Sequence, residues 1–383
     1  MRTAFVTLLA FAALSPLALG QNPSDGTFGP YLQSPTENGA VVCWRTATAG
    51  TSEVEYGTTQ NYGQNVQQLA SAQWHQVPVT GLAANTLYYY RAVTRANGQA
   101  IFSETGSFRT MPPRGAPLSF VHMAETHDDD EVTKFREEVA ASGASFIVDA
   151  SDQVDDGAVL NEWDHYFTIG EAIYRNTPVV NAVGNHSYVG TGLFKTGIFG
   201  NLNMFKQVNV NPGNEEWFTF RVGDVLFIYL NSTWYFDPFR LSTSQISWLK
   251  KTLADATDGN DDPVFKVAVF HTPPYSSGPW YRDYLEKIWA KNFFVKHLKA
   301  ARTDLVLLGH DKFNEHSVVD GVHYVQVATG ALSAKRIQAK NPGKVWLSAQ
   351  TRGMTVVRVN GRRLDAQIVD NAGNVLHSFS IAK

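Results

Sequence analysis

The chain is poor in cysteine and in charge. Cys43 is the one cysteine among 383 residues, so neither an internal disulfide nor a thiolate metal cluster can form. Charged residues make up only 17% of the sequence and the formal net charge is −3, which does not provide the basic surface that nucleic acids or anionic membranes attract. We therefore expect neither nucleic acid nor membrane among the partners. Hydrophobic residues reach 44%, a balance that indicates a folded core.

Long apolar runs are also scarce, and the first one is too short for a typical membrane span. Arg2 precedes an apolar run from Ala4 to Leu14. In Ala18-Leu19-Gly20, the small residues Ala18 and Gly20 occupy the two positions that a signal peptidase reads before its cleavage point. We predict that residues 1–20 are a signal peptide and that the mature protein is soluble and either secreted or periplasmic. The alternative is an amino-terminal anchor that is retained.

Short strand patterns separated by turns fill the next part of the chain. The runs 40–44, 52–57 and 86–93 are apolar or alternating, and Asn97-Gly98 is a turn signal between strands. This spacing predicts a small β-sandwich over residues 21–112. Cys43 lies inside the first run, where a small buried hydrophobic residue is more common than a nucleophile.

From Leu118 onward, apolar runs of strand length alternate with helical patterns. The predicted helices are residues 131–141, 160–174, 243–254 and 281–301, and strands return from Thr355 to Ile381. This alternation predicts a layered α/β domain over residues 113–383, with helices covering the sheet structure.

Five apolar segments in this second part each end in a polar residue. The residues are Glu125, Asp152, Asn185, His271 and His310. The carboxyl ends of strands are where α/β sheets build their sites, and oxygen and imidazole donors at one edge suit a divalent cation. Each residue alone has an ordinary structural explanation, such as a core histidine or a helix cap. Five together favour a metal site.

These segments resemble those of the calcineurin-like metallophosphoesterases and, more narrowly, the purple acid phosphatases. Ser151-Asp152 is similar to the family's Gly-Asp block, Gly184-Asn185-His186 to its Gly-Asn-His block, and Gly309-His310-Asp311-Lys312 to its Gly-His-x-His block. The resemblance implies a fibronectin III-like β-sandwich in residues 21–112. It also implies a metallophosphoesterase domain with α/β/β/α layers in residues 113–383.

The resemblance implies a hydrolase in which a metal-activated water attacks a small phosphomonoester. One cation site would consist of Asp152, Asn185, His271 and His310, with Asp152 also bridging to a second ion. His186 would lie beside the phosphate and assist the leaving oxygen. On ligand type the metal would be zinc, manganese or iron. A homodimer is left open.

The second cation site departs from the family pattern at three positions. Glu125 replaces an Asp, Asp155 replaces the Tyr that binds ferric iron, and Lys312 replaces the second His of Gly-His-x-His. His127 is a candidate replacement ligand. We therefore expect one firmly bound ion and a degraded second site formed by Glu125, His127 and Asp155. Without that tyrosine, an iron-loaded protein should be colourless.

Lys312 allows two interpretations. It is either a surface lysine that a slip in the alignment has matched to the wrong position, or an ammonium group where the ion of the second, degraded site would lie. A lysine ammonium has three donors and no lone pair, so it cannot ligate a cation in that form. It can still pair with carboxylates and contact phosphate. The acidic runs 128–130 and 155–156 are more typical of helix starts and solvated loops than of a cation site.

Three functions follow from these observations. The first is a secreted metal-dependent phosphatase with one intact site. The second is a degenerate phosphoesterase fold that binds phosphate, another anion or a protein without cleaving it, because three ligand positions have changed. The third is an adhesive module carried by residues 21–112, which has no polar cluster to support it.

Overall fold

The computed structural model describes residues 17–18, 26–188, 201–233, 241–259, 261–279 and 284–383. Strand β1 is Leu17–Ala18, and the rest of the predicted signal peptide lies outside the described residues. The same holds for residues 281–283 at the start of the last predicted helix. Within the described residues, no helix combines the length and the hydrophobicity that crossing a bilayer requires.

The amino-terminal part is an antiparallel β domain built around one long strand. Strand β3 hydrogen-bonds to β2 and β4 through its first half and to β4 and β5 through its second half. Trp44 and Cys43 on β3 are buried, as their apolar runs predicted. The predicted β-rich domain is thus confirmed. The strands are β2 (Phe28–Thr36), β3 (Gly39–Gly57), β4 (Gln64–Val79), β5 (Leu87–Ala96), β6 (Gln99–Phe102) and β7 (Gly106–Arg109).

The first sheet of the following domain has three parallel strands joined to three antiparallel ones. Their order is β10-β9-β8-β18-β19-β20. Val121, Val148 and Val180 are buried on both sides of the parallel part, as expected for strands covered on two faces. The strands are β8 (Leu118–Met123), β9 (Ile147–Asp149), β10 (Val179–Asn181), β18 (Met354–Asn360), β19 (Arg363–Val369) and β20 (Val375–Ala382).

The second sheet has the order β11-β12-β13-β14-β16-β15-β17, and β12, β13, β14 and β16 are parallel. Residues 267–269 of β13 and 305–308 of β14 are all apolar and buried, which is why the sequence predicted buried strands there. The strands are β11 (Phe218–Val222), β12 (Val225–Tyr229), β13 (Phe265–Val269), β14 (Leu305–Leu308), β15 (Asn314–Val319), β16 (Val322–Gln326) and β17 (Lys344–Ser348).

Helices cover the outer faces of both sheets. All four predicted helical regions contain helix. The second is divided into two helices. The third begins with a π-helical turn at Leu241–Gln245, and the fourth contains one at Lys291–Val295. The helices are α1 (Arg136–Ser142, after a 3₁₀ turn at Asp130–Phe135), α2 (Leu160–Ile169), α3 (Glu171–Tyr174), α4 (Asn203–Val208), α5 (Ile246–Asp255), α6 (Tyr284–Ala290) and α7 (Lys296–Ala300).

The two sheets pack face to face, so the α/β/β/α layering is confirmed. Phe120 of β8 contacts Phe227 of β12 edge to face across this interface, with ring centroids 5.1 Å apart. The amino-terminal domain shares a second core with the helices of the first sheet. There the ring of Tyr31 stacks on that of Phe167 with centroids 3.8 Å apart. The two domains therefore form a common apolar interior, and burial of that area stabilises their mutual position.

The connection between the two domains, residues 111–115, is packed rather than loose. Met111 is buried, its backbone N–H donates to the Thr36 carbonyl, and its carbonyl accepts from Asn85. Beyond it, Arg114 and the Gly115 N–H bind the Asp224 carboxylate. These bonds hold the connection against both domains.

Candidate metal centre

The five predicted segments converge on one edge of the domain, but that edge belongs to two sheets. Glu125, Asp152 and Asn185 follow strands β8, β9 and β10 of the first sheet. His271 and His310 follow β13 and β14 of the second sheet. The site thus lies where the carboxyl ends of two facing sheets meet, and the sequence pattern alone did not separate the two sources.

Four donor atoms form a tight group at this edge. The Nε2 atom of His271 lies 3.0 Å from Oδ1 of Asn185 and 3.0 Å from Oδ2 of Asp152. The Nδ1 atom of His310 lies 3.2 Å from the same Asn185 oxygen and 3.1 Å from Nε2 of His271. His271 and Asp152 are buried, at 0% and 2% exposed.

These distances fit a single cation. Ligands about 2.1 Å from a transition metal are separated from one another by about 3.0–3.4 Å, depending on the coordination geometry. Two imidazole nitrogens and two oxygens match the ligand types that zinc, manganese and iron accept. Asp152, His271 and His310 also form one of three clusters among the described residues whose donor atoms are close enough to hold an ion.

This group of donors contains both a positive and a negative charge. Burial by itself lowers the pKa of His271, but the neighbouring Asp152 carboxylate outweighs it and raises the pKa to about 9. Burial opposes ionisation of Asp152 as well, yet His271 and His186 hold its pKa well below the usual range. The pair therefore behaves as an ion pair, and a bound cation would replace the proton on His271.

A second cluster lies beside the first and shares Asp152. It contains Glu125, His127 and Asp152. Both nitrogens of His127 face carboxylates, because Nε2 is 3.0 Å from Oε2 of Glu125 and Nδ1 is 2.5 Å from Oδ1 of Asp155. The other oxygen of Glu125 accepts a hydrogen bond from the backbone N–H of His310. Glu125 thereby links the two ligand groups.

The imidazole of His127 is strongly basic in this position. Burial lowers its pKa, but hydrogen bonds to Asp155 and Glu125 outweigh that and raise it to about 9. The bond to His127 is the main reason that the pKa of Asp155 is lowered, and the positive charge of Lys312 adds to the effect. The three family departures predicted from sequence, at Glu125, Asp155 and Lys312, therefore belong to one electrostatic group with His127.

His186 lies at the more exposed side of the same edge. Its Nδ1 donates to the Asp155 carbonyl oxygen at 2.6 Å, so Nε2 is the nitrogen available to the site, 3.9 Å from Oδ2 of Asp152. Its backbone N–H donates to Oδ1 of Asp152. His127, Asp155 and His186 make up the third of the three clusters.

The backbone at this edge is unusual. Seven of the fifteen non-glycine residues with positive φ in the described chain lie here, namely Glu125, His127, Asp128, Ser151, Asp152, His310 and Lys312. Positive φ costs non-glycine residues free energy, and such conformations concentrate at functional sites. Ser151 at φ 85° explains why the family pattern has glycine at that position.

Gly184 is required by close approach. A Cβ atom there would lie 2.3 Å from Oδ1 of Asp152 and 2.5 Å from Oγ of Ser151. Only glycine lets the segment that carries Asn185 pass directly against the segment that carries Asp152.

The acidic run at residues 128–130 stays outside the donor group. Asp129 caps the following 3₁₀ turn by accepting from the Glu131 N–H, as the helix-start interpretation predicted. Asp128 and Asp130 each place an oxygen 3.4 Å from a different nitrogen of His165.

Several residues around the site were missed by the sequence reasoning. Asp149, Gln153 and Asn181 are buried next to the Asp152 and Asn185 segments, and Nε2 of Gln153 donates to the side-chain oxygens of the other two. Behind His310, the Asp311 carboxylate pairs with the buried Lys287 ammonium at 3.0 Å. Polar residues at the last position of short apolar strands, such as Asp149 and Asn181, were the signal that could have identified the first group.

Comparison with known families identifies both parts of the chain. Residues 118–312 match the profile of the calcineurin-like phosphoesterases, which is just over half of the chain. Residues 29–110 match the profile of the amino-terminal domain of purple acid phosphatases. A curated relative, probable purple acid phosphatase 20 from Arabidopsis thaliana, is 23% identical over 283 residues. That match covers 70% of this chain but only 64% of the relative's own length.

Solved structures show the same fold. A purple acid phosphatase, PPD1, from yellow lupin (Lupinus luteus) seeds superposes with a TM-score of 0.77 at 18% identity, covering 92% of this chain and 74% of that one. A structure described as PhoD superposes with a TM-score of 0.67 at 13% identity, covering 95% and 92% of the two chains. The order of an amino-terminal β domain and a metallophosphoesterase domain is thus confirmed.

Proposed function

The chain belongs to the calcineurin-like phosphoesterases, and on that premise we propose that it is a secreted or periplasmic, metal-dependent phosphatase of the purple acid phosphatase type. Its substrate would be a small phosphomonoester. The observation that carries this proposal is the convergence of Asp152, Asn185, His271 and His310. His271 lies 3.0–3.1 Å from a donor atom of each of the other three, and His310 lies 3.2 Å from Asn185.

Those four residues would hold one zinc, manganese or iron ion. When bound, such an ion supplies the positive charge that polarises water and phosphate oxygens. Asp152 is placed to serve a second ion as well, because it also belongs to the Glu125–His127 group. That second position would be weaker, since Asp155 and Lys312 stand where the family pattern has Tyr and His.

His186 would act on the leaving group. The hydrogen bond from its Nδ1 to the Asp155 carbonyl orients the ring and leaves Nε2 to carry a proton at the open side of the site. A proton at Nε2 can bond to a phosphate oxygen or pass to the departing alkoxide or aryloxide.

The proposal is tested by measuring metal per chain and hydrolysis of an aryl phosphate on the same preparation. The protein is reconstituted with Zn²⁺, Mn²⁺ or Fe²⁺, and His271→Ala serves as the paired variant. We expect about one tightly held ion and phosphate release in the wild type, and loss of both in the variant. A wild type that neither holds metal nor releases phosphate would refute the assignment.

A second function is favoured by Lys312. Its positive charge acts on Asp155 in the group where a second ion would be needed, and a protein with that group degraded could bind phosphate or a protein without cleaving. The double variant Lys312→His, Asp155→Tyr separates the two cases. A gain of turnover together with tight phosphate binding by a silent wild type would support the binding protein.

The predicted export is tested separately. Expression of the full chain in a bacterial host and amino-terminal sequencing of the exported protein should give Gln21 as the first residue. Retention of Met1 on a membrane-associated product would favour the anchor instead.

A further inference from the structure

A row of buried side-chain amides leads from the amino-terminal domain to the candidate metal centre. Its members are Gln33 on β2, Asn209 after α4, Asn181 at the end of β10 and Gln153 next to Asp152. All four are at most 1% exposed. Buried amide groups are in general hydrogen-bonded, and the bonds that each of these four makes fix how it is oriented.

Gln33 provides the contact between the domains. Its Nε2 donates to Oδ1 of Asn209 at 2.9 Å, and its Oε1 accepts from the backbone N–H of Val210 at 2.5 Å. The same oxygen of Asn209 accepts from Nδ2 of Asn181 at 2.5 Å. One oxygen thus joins a side chain of the first domain to the strand that leads to Asn185.

Gln153 continues the row on the other side of Asn181. Its Nε2 donates to Oδ1 of Asn181 at 3.4 Å and to Oδ1 of Asp149 at 3.0 Å. Its backbone carbonyl accepts from the Thr126 hydroxyl at 3.2 Å and from the Asp128 N–H at 2.7 Å. Gln153 is therefore bonded to all three segments that the first sheet sends into the site.

We propose that Gln33 of the amino-terminal domain is a positioning residue for the metal centre, acting through Asn209, Asn181 and Gln153 on the segments that carry Glu125, Asp152 and Asn185. The role of those segments as metal ligands rests on the function proposed above. The hydrogen-bonded connection itself does not depend on it.

The division of the site between two sheets gives this connection its effect. The first sheet supplies Asp152 and Asn185, whereas the second supplies His271 and His310. A shift of the first group relative to the second changes all the distances between oxygen and nitrogen donors at once. Removing a residue that hydrogen-bonds to a metal ligand typically lowers the affinity for the metal by about tenfold to a hundredfold. Gln33 lies further from the ligands than such a residue does.

The test compares Gln33→Met with Tyr90→Phe. Methionine keeps the length of the side chain and removes both hydrogen bonds. Tyr90 is the matched control, because its hydroxyl is also buried, also belongs to the amino-terminal domain and donates across the interface to the Arg175 carbonyl at 2.9 Å. Both variants therefore lose a bond between domains, but only Gln33 belongs to the amide row.

Hydrogen–deuterium exchange is the first measurement, made without added metal. We expect the amides of residues 150–153 and 182–187 to exchange at least roughly threefold faster in Gln33→Met than in Tyr90→Phe. Equal exchange in the two variants would overturn the proposal. If Gln33→Met does not fold, Gln33→Asn is used, because it keeps a neutral amide and withdraws that amide by one methylene from Asn209 and Val210.

Co²⁺ binding is the second measurement, followed by its visible absorption spectrum. We expect Gln33→Met to bind Co²⁺ roughly five- to tenfold more weakly than the wild type and to show an altered band, with Tyr90→Phe unchanged. If the wild type binds no Co²⁺, the metal centre is refuted and the exchange data still decide on Gln33. If all three proteins bind alike with the same spectrum, the positioning role of Gln33 is refuted while the metal centre stands.

Discussion

Nδ1 of His127 lies 2.5 Å from Oδ1 of Asp155, while the opposite ring nitrogen of His127 lies 3.0 Å from Glu125. The family resemblance implies that Asp155 occupies the position of an iron-binding tyrosine. The carboxylate of Asp155 is instead hydrogen-bonded to His127, which belongs to the same candidate site. We therefore propose that the carboxylate of Asp155, paired with His127, takes the place of that tyrosine. The second cation position is then the most informative target for experiment.

Removal of His271 should abolish the first cation site. In His271→Ala, Asp152 and Asn185 lose the donor that lies 3.0 Å from each of them, so the remaining three ligands no longer enclose an ion. We expect the thermal midpoint of the wild type to rise with Zn²⁺ because the ion binds only the folded state, and the midpoint of the variant to stay constant. His165→Ala is the control, since His165 lies near the site and outside the donor group. A variant that is stabilised by Zn²⁺ as strongly as the wild type would contradict the ligand assignment.

Colour tests the position of Asp155. Tyrosinate bound to ferric iron absorbs visible light, so the iron-loaded wild type should be colourless and Asp155→Tyr should gain a visible band. Asp155→Phe provides the control, because it has the ring and lacks the phenolic oxygen. A band in the wild type that disappears in Asp155→Phe would show that the assignment of this position is wrong.

Metal affinity should increase with pH. The pKa of His271 is raised to about 9, so below that pH a cation must displace its proton, and above it the lone pair is already free. We expect affinity for Mn²⁺ to rise by up to about tenfold per pH unit for this one proton between pH 7 and 9, and then to level off. Calorimetry in buffers of different ionisation enthalpy measures the released proton directly. An affinity independent of pH over this range would contradict the protonated state of His271.

Acid should lower the free energy of unfolding through a row of three histidines in the carboxyl-terminal part of the chain, away from the candidate site. His316 lies 2.9 Å from His377 and 3.0 Å from His323, measured between ring nitrogens, and the row joins strands β15 and β16 of one sheet to β20 of the other. Burial lowers the pKa of His316 to about 3, with the neighbouring histidines adding to the effect. The unfolded chain therefore binds a proton below pH 6.5 that the folded chain does not bind.

The sign of that linkage fixes the expected result. Stability should be fully present above pH 6.5 and fall as the pH decreases toward 3, by up to about 1.4 kcal/mol per pH unit for this histidine. Urea unfolding at pH 7 and pH 5 checks it, with His316→Gln as the variant. His316→Gln should lose less stability than the wild type between the two pH values. An equal loss in both proteins would exclude His316 as a source of the acid sensitivity.

Much of the candidate site could be predicted because its residues follow buried strands. An apolar run precedes each of the four residues Asp152, Asn185, His271 and His310. Such a run is typical of a strand in a sheet that is covered on both faces. A polar residue directly after such a run lies at the edge of the sheet. The Gly-Asn-His and Gly-His blocks, in their order along the chain, then indicated which family the chain resembles. The departures at Asp155 and Lys312 stay predictions, made from residue types at fixed spacing from the matched blocks.

Other features could not be read from local patterns. His127 contacts Asp155 across 28 residues, and Gln33 reaches Asn209 across 176 residues. Such pairs depend on how the domains and sheets pack, and a buried glutamine in an edge region has no periodic signal of its own. The π-helical turns within the helices at Leu241–Gln245 and Lys291–Val295 were also invisible, because they do not change the apolar spacing enough to be recognised.

The amino-acid sequence by itself determined the strands, the helices and the chemical types of the ligands, since these depend on hydrophobic periodicity and on residues a few positions apart. Only the tertiary structure decided that the candidate ligands come from two facing sheets, that His127 is held between two carboxylates, and that the amino-terminal domain is hydrogen-bonded to the segments of the candidate site. Distances between groups remote in the chain are set by the packing of whole layers, which no short stretch of residues encodes.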